Sequence, residues 1–226
     1  HGFNVPEWVA LPPRFFDQFK FDNQLVEYIE NIVLDQHLGL AEVAEKIRAK
    51  IVNAPFSREL EFEIEKIYQK LSCPLISVRS SAHDEDSATH SFAGQLSSFL
   101  YVSSFDVTKQ SIKEVWASAY SERSLHYRLT NKLSTTNIKV SVILQAMIDP
   151  EKSGVLFTCH PIDGKNDRVV LNSVYGVGEG LVSGLLDADN FVIEKESYKT
   201  LETNIVEKKT KLVRDSEKQS CIESSV

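Results

Sequence analysis

The sequence has no surplus of positive charge. Lys and Arg number 25 against 32 Asp and Glu, a formal charge of −7. That balance argues against broad binding to nucleic acid or to an anionic membrane surface, although local cations can still hold a nucleotide. Cysteine is scarce. Cys73, Cys159 and Cys221 are widely spaced and form no Cys-x-x-Cys, which argues against a disulfide framework or a zinc site. A reduced, cytoplasmic setting is the default expectation. No apolar run approaches the roughly 18 residues of a membrane span. The first residues lack the basic start and apolar core of a secretion signal. Several catalytic signatures are also missing. There is no Walker A pattern and no Gly-x-Ser-x-Gly elbow, and His83, His90 and His160 have no ligand spacing.

Enough apolar residues remain, 42% of 226, to build a sizeable core. The opening third reads as mainly helical. An extended segment over 4–13, punctuated by prolines, precedes three apolar stripes at helical spacing. These are Leu25, Val26, Ile29, Ile32 and Val33 behind an Asp22 cap; Leu40, Val43, Ala44, Ile47 and Ile51; and Leu60, Ile64, Ile67, Tyr68 and Leu71 behind a Ser57 cap. Further on, Asp106 is expected to cap one long helix to about Asn131, with Arg123 and Arg128 on its wetter sides. Residues 138–147 alternate, with Ile138, Val140, Val142, Leu144 and Ala146 on one face, and 155–159 reads as the return strand of a hairpin. Short strands follow over 168–174, 191–194, 199–206 and 210–213. Helices first, then strands without regular βαβ alternation, predict an α+β fold.

The chemistry concentrates in the stretch from Pro74 to Val102. The apolar run Leu75–Val78 ends in Arg79, and small hydroxyl residues and the acids Asp84, Glu85 and Asp86 follow. An arginine closing a buried strand meets an anionic ligand, pairs with Asp84 or Glu85, or exits to water. The acidic run itself is a solvated loop, a metal site or a base. Gln145 ends an otherwise apolar strand. Its amide offers both a donor and an acceptor, suited to the edge of a nucleobase, and an exposed edge position is the plainer reading. Gly176, Gly178 and Gly180 lack the third glycine of a dinucleotide fingerprint, because Leu181 stands there. They read as a tight turn into a short helix, one that borders a nucleotide cleft.

Four blocks resemble one family. Val78–Ala82 (Val-Arg-Ser-Ser-Ala) with Asp86 and Ser91–Gln95 (Ser-Phe-Ala-Gly-Gln) is the first. Trp116–Arg123 with Tyr127 and Arg128 is the second. Gln145–Ile148 with Ser153–Thr158, Pro161 and Gly164 is the third, and Gly176–Gly184 the fourth. Together they resemble the phosphoenolpyruvate synthase / pyruvate, phosphate dikinase family over about residues 4–194. The resemblance implies an ATP-grasp domain in which ATP lies between two α+β subdomains, here residues 1–137 and 138–226. It implies transfer of an ATP phosphate to a histidine on a separate swivelling domain. A substrate domain then passes it to pyruvate, a glucan or, in the rifampin phosphotransferases, an antibiotic. A nucleotide-binding regulatory module of the same fold is the alternative. By resemblance Arg79 contacts the ATP phosphates, Gly94 admits close backbone approach, Ser98 offers a hydroxyl, and Gln145 reads the base. The family's phosphate-binding lysine is expected before His1, and its acidic Mg2+ ligand and Gln-x-Arg segment beyond Val226. A piece of a longer polypeptide is therefore expected, one that alone binds ATP weakly and completes no phosphoryl transfer.

Overall fold

A computed structural model describes residues 2–82, 86–87, 90–91, 97–215 and 220–226. Two compact units are present, His1–Met147 and Ile148–Val226. Helices and antiparallel sheets make up both.

The first unit is built on a four-stranded sheet. Its strands are β1 (Trp8–Leu11), β2 (Ile76–Ala82), β5 (Ser98–Val102) and β6 (Val140–Ala146), in the order β1-β6-β2-β5 and all antiparallel. A two-residue pair, β3 (Asp86–Ser87) and β4 (His90–Ser91), lies between β2 and β5 in the chain. Alternate residues of the sheet point into one core: Leu11, Ile76, Val78, Val102, Val140, Val142 and Leu144. They pack with residues from α1 (Pro13–Asp22), α2 (Leu25–Val33), α3 (Leu40–Asn53), α4 (Arg58–Tyr68), α5 (Phe105–Ser118) and α6 (Glu122–Thr130). Trp116 sits at the centre, its ring 5.0 Å from that of Phe16 and 5.1 Å from that of Phe19. The block around Trp116 thus serves packing.

Local chemistry explains where these elements differ from the sequence reading. Pro13 opens α1 as its first residue, where its missing N–H costs nothing. Asp22 ends α1 and does not cap α2. Its carboxylate accepts from Gln18 Nε2 and from Ser57 Oγ, each at 2.6 Å, so the Ser57 hydroxyl ties two elements together and caps no N–H of α4. The expected helix over 106–131 is two helices. The Ser104 hydroxyl accepts from Val107 N at the start of α5, and the Ser121 hydroxyl accepts from Ser124 N and starts α6. A second good cap inside the apolar pattern restarts the helix in a new direction. That turn brings Arg128 inward, only 6% exposed, where it donates to Ser134 O at 3.0 Å. The expected wetter placement does not hold for Arg128.

Strand β6 does not form a hairpin with 155–159. Both of its edges are taken, by β1 on one side and β2 on the other. Its single apolar face fits a sheet covered by helices on one side. Consequently β6 belongs to the first unit, and the boundary lies after Met147, against the expected position after 137.

A charged cluster fastens α1 to the segment leading into β6. The ammonium of buried Lys20 donates to Thr136 O at 2.9 Å and lies 3.2 Å from Asp17, which also pairs with Lys139. Burial raises the Asp17 carboxyl, but hydrogen bonds from Lys139 and Lys20 outweigh it and the net shift is downward from 3.8. A carboxylate with a depressed folded pKa adds stability above its ordinary pKa and loses it as pH falls through the folded value. Asp17→Asn is therefore expected to reduce stability at neutral pH, and the gap from the parent to close below 3.8. Denaturant unfolding across a pH series checks this; a gap unchanged at acid pH would assign the loss to something other than the carboxylate's charge.

The second unit is a meander of β7 (Lys152–Phe157), β8 (Arg168–Tyr175), β9 (Asp189–Glu194) and β10 (Thr200–Asn204), ordered β10-β9-β8-β7. The short helix α7 (Glu179–Val182) follows β8. A hairpin of β11 (Thr210–Asp215) and β12 (Ser220–Ser225) completes the unit. β12 falls in a segment that reads as merely polar. Its apolar residues, Cys221 and Ile222, are adjacent rather than alternating, so hydrophobic periodicity gives no signal for it.

Candidate nucleotide site

Strand register decides which polar residues share a surface. Residues directly opposite on paired strands point to the same face of a sheet, and successive residues to opposite faces. Arg79 on β2 lies opposite Ser98 on β5 and opposite Ile143 on β6. Ser77 lies opposite Gln145, and Gln145 opposite Trp8 on β1. Ser77, Arg79, Ser98, Ile143, Gln145 and Trp8 thus occupy the face away from the helical core. Arg79, Ser98 and Trp8 are exposed, while Gln145 is half-buried. The core-facing neighbours, Val78, Val142 and Leu144, are fully buried.

Two local features hold this arrangement. Ser77 is buried and donates from Oγ to the carbonyl of Gln145 at 3.4 Å, bracing the strand pair beneath the amide. On β5 the register shifts between the pairs Ile76–Val102 and Val78–Phe99, and Tyr101 adopts a φ of 59°. The extra residue of this bulge lets Phe99 and Val102 both face the core while Ser98 faces out beside Arg79.

Strand spacing of about 4.8 Å and a rise of about 3.4 Å per residue set the scale of the face. Gln145 and Ser98 are two strands and two residues apart, so their backbones are about 12 Å from each other, with Arg79 between them. An amide at one end, and a guanidinium and a hydroxyl at the other, suit a ligand with a hydrogen-bonding base and an anionic tail. Among the described residues Arg79 has no ion-pair partner. Gly94, Asp84 and Glu85 lie outside the described residues, and so does the Arg79 pairing expected with either acid. Trp8 is the member of this face that the sequence reading passed over. Its alternation with Val9 and Leu11 was the available signal.

Other candidates dissolve into structure. Gly176 has a φ of 72°, and a Cβ there would lie 2.0 Å from Leu212 O. A Cβ on Gly180 would lie 2.5 Å from Leu186 Cδ1. Packing inside the second unit accounts for both glycines. His160 Nδ1 lies 3.0 Å from the Asp163 carboxylate within one turn. Burial pushes up the thiols of Cys73 and Cys221, with Glu7 adding at Cys73 and Glu179 and Asp149 at Cys221, so neither is an activated nucleophile. No group of three or more His, Cys, Asp or Glu side chains suited to a metal occurs among the described residues. No described helix is long and apolar enough to cross a membrane. A cavity of about 630 Å³ in the second unit is lined by Lys152, Tyr175, Lys211 and Arg214, but also by Asp149 and Glu151, whose carboxylates oppose a polyanion.

Residues 1–226 match the family described as "Pyruvate phosphate dikinase, AMP/ATP-binding domain". The chain belongs to this family. It is 31% identical to phosphoenolpyruvate synthase of Aeropyrum pernix over 100% of the chain and 29% of that protein. It is 32% identical to phosphoenolpyruvate synthase of Pyrococcus furiosus over 85% of the chain and 24% of that protein. Prodigiosin synthesizing transferase PigC of Serratia marcescens is 32% identical over 92% of the chain and 23% of that protein. The chain thus spans less than a third of the length of each of these relatives.

Proposed function

We propose that ATP binds on the exposed face of the first unit's sheet, and that the domain is the ATP-binding part of a phosphotransferase. The carrying observation is the register that puts Arg79, Ser98 and Gln145 on one surface. In this reading the Arg79 guanidinium holds the phosphate chain through charge-assisted hydrogen bonds, and the Ser98 hydroxyl donates to it from the neighbouring strand. The Gln145 amide reads the base edge. Gly94, in the Ser91–Gln95 block, lets the backbone approach the phosphates. In this reading the domain has the ATP-grasp architecture. ATP phosphate passes to a histidine of a separate swivelling domain and then to pyruvate or another acceptor. Mg2+ neutralises charge on the phosphates when bound, and its ligands are assigned to no described residue.

Gln145→Ala is expected to weaken ATP binding roughly two- to tenfold, the worth of one neutral hydrogen bond, and to leave tripolyphosphate binding unchanged. Calorimetric titrations with both ligands check it. For transfer, the full-length protein incubated with phosphate-labelled ATP is expected to gain an acid-labile, alkali-stable phosphoryl group, and the 226-residue chain alone none. ATP binding without any phosphoprotein in the full-length protein would favour a nucleotide-binding regulatory module.

A further inference from the structure

One residue of the exposed face has no role in the reading above. Trp8 is 56% exposed, an unusual place for the largest apolar side chain. Its neighbours on β1 explain why it is not buried: Leu11 fills the core and Val9 is half-buried, so the strand's pleat sends Trp8 to the other face. Its register partner across the ladder is Gln145. Opposed residues on antiparallel strands have Cβ atoms about 4.5–5.5 Å apart. The indole and the amide are thus direct neighbours on the surface that carries Arg79.

We propose that Trp8 is the stacking platform for the purine base of the bound nucleotide. This rests on the ATP site proposed above and adds its base-binding wall. The two neighbours do different chemistry. An indole offers a flat apolar face that accepts any base, since every base has a π-face. An amide contacts the base edge with one donor and one acceptor, and so separates adenine from guanine. Trp8 therefore supplies affinity that is blind to the base, and Gln145 supplies the choice. Position supports this division. Arg79 lies on the far side of Gln145 from Trp8, so the phosphates run from the amide away from the indole.

The chain contains a second tryptophan, Trp116, but it is wholly buried among Phe16, Phe19 and Phe56. Changes in tryptophan emission on adding a nucleotide therefore report on Trp8. Titrating the 226-residue chain with ATP, GTP and inorganic tripolyphosphate is expected to quench emission with both nucleotides and not with tripolyphosphate. Trp8→Ala is expected to weaken ATP binding by calorimetry roughly five- to hundredfold, with tripolyphosphate binding unchanged and Trp8→Phe restoring most of the loss. The substitution removes an exposed side chain, so thermal unfolding is expected to move little. Unchanged ATP affinity in Trp8→Ala, in a background where Arg79→Ala still weakens it, would overturn the stacking role and leave the ATP site standing. ATP affinity unchanged in both variants would overturn the two together. Equal quenching by tripolyphosphate would also overturn the role, since it would place phosphate and not base beside the indole.

Discussion

Arg79→Ala is expected to weaken ATP binding by roughly ten- to hundredfold, the worth of a hydrogen bond to a charged group. The position allows a clean reading. Arg79 is exposed in the middle of β2, and its core-facing neighbour Val78 carries the packing. Stability should therefore change by no more than about 0.5 kcal/mol, as for other surface substitutions. Arg79→Lys should recover charge but not the two-pronged geometry, and fall between parent and alanine. Isothermal calorimetry with ATP and with AMP separates the contributions, because the effect should be smaller for the ligand with fewer phosphates. If Arg79 instead serves only to pair with Asp84 or Glu85, ATP affinity would not respond to the alanine variant.

The second large effect concerns stability. Gly176→Ala is expected to destabilise the second unit by about 2–5 kcal/mol, adding left-handed backbone strain to a steric overlap. Gly176 holds a crossing of three strands. Its N–H donates to Glu151 O at 2.8 Å, its carbonyl accepts from Ser153 Oγ at 2.7 Å, and the next N–H, of Val177, donates to Leu212 O at 2.8 Å. The added Cβ, 2.0 Å from Leu212 O, must push β11 away, and that breaks the last of these bonds. Denaturant unfolding of the variant should show an earlier loss of the second unit. Its few buried apolar residues, such as Val170, Val174, Val192 and Leu212, leave a small core to absorb the change. A variant as stable as the parent would mean that the turn relaxes without the glycine.

Much of this was legible in the sequence because it was periodic. The stripes of α3 and α4 and the alternation of β6 fixed which side chains are buried. What failed was local or long-range. Ser57 and Ser121 are both good caps by identity, yet one spends its hydroxyl on Asp22 and the other starts a helix. Only the tertiary position of Asp22 tells them apart. The partner of β6 was misread because strand pairing at so long a sequence separation, from Ile76–Ala146 to Ala82–Val140, leaves no local trace, whereas a nearby strand invites a hairpin. The site divides in the same way. Arg79 and Gln145 stood out as polar residues on apolar strands. Their common face, and Trp8 beside them, needed the register.

The claim at the centre is where ATP sits. Amide and side-chain chemical shifts of the isotope-labelled chain, followed during an ATP titration, test it most directly. Saturable shifts are expected at Trp8, Ser77, Arg79, Ser98 and Gln145, with Val78 and Leu144 responding only through their shared backbone. Shifts centred instead on Tyr175, Lys211 and Arg214 of the second unit's cavity, with the β1-β6-β2-β5 face silent, would contradict an ATP site on that sheet.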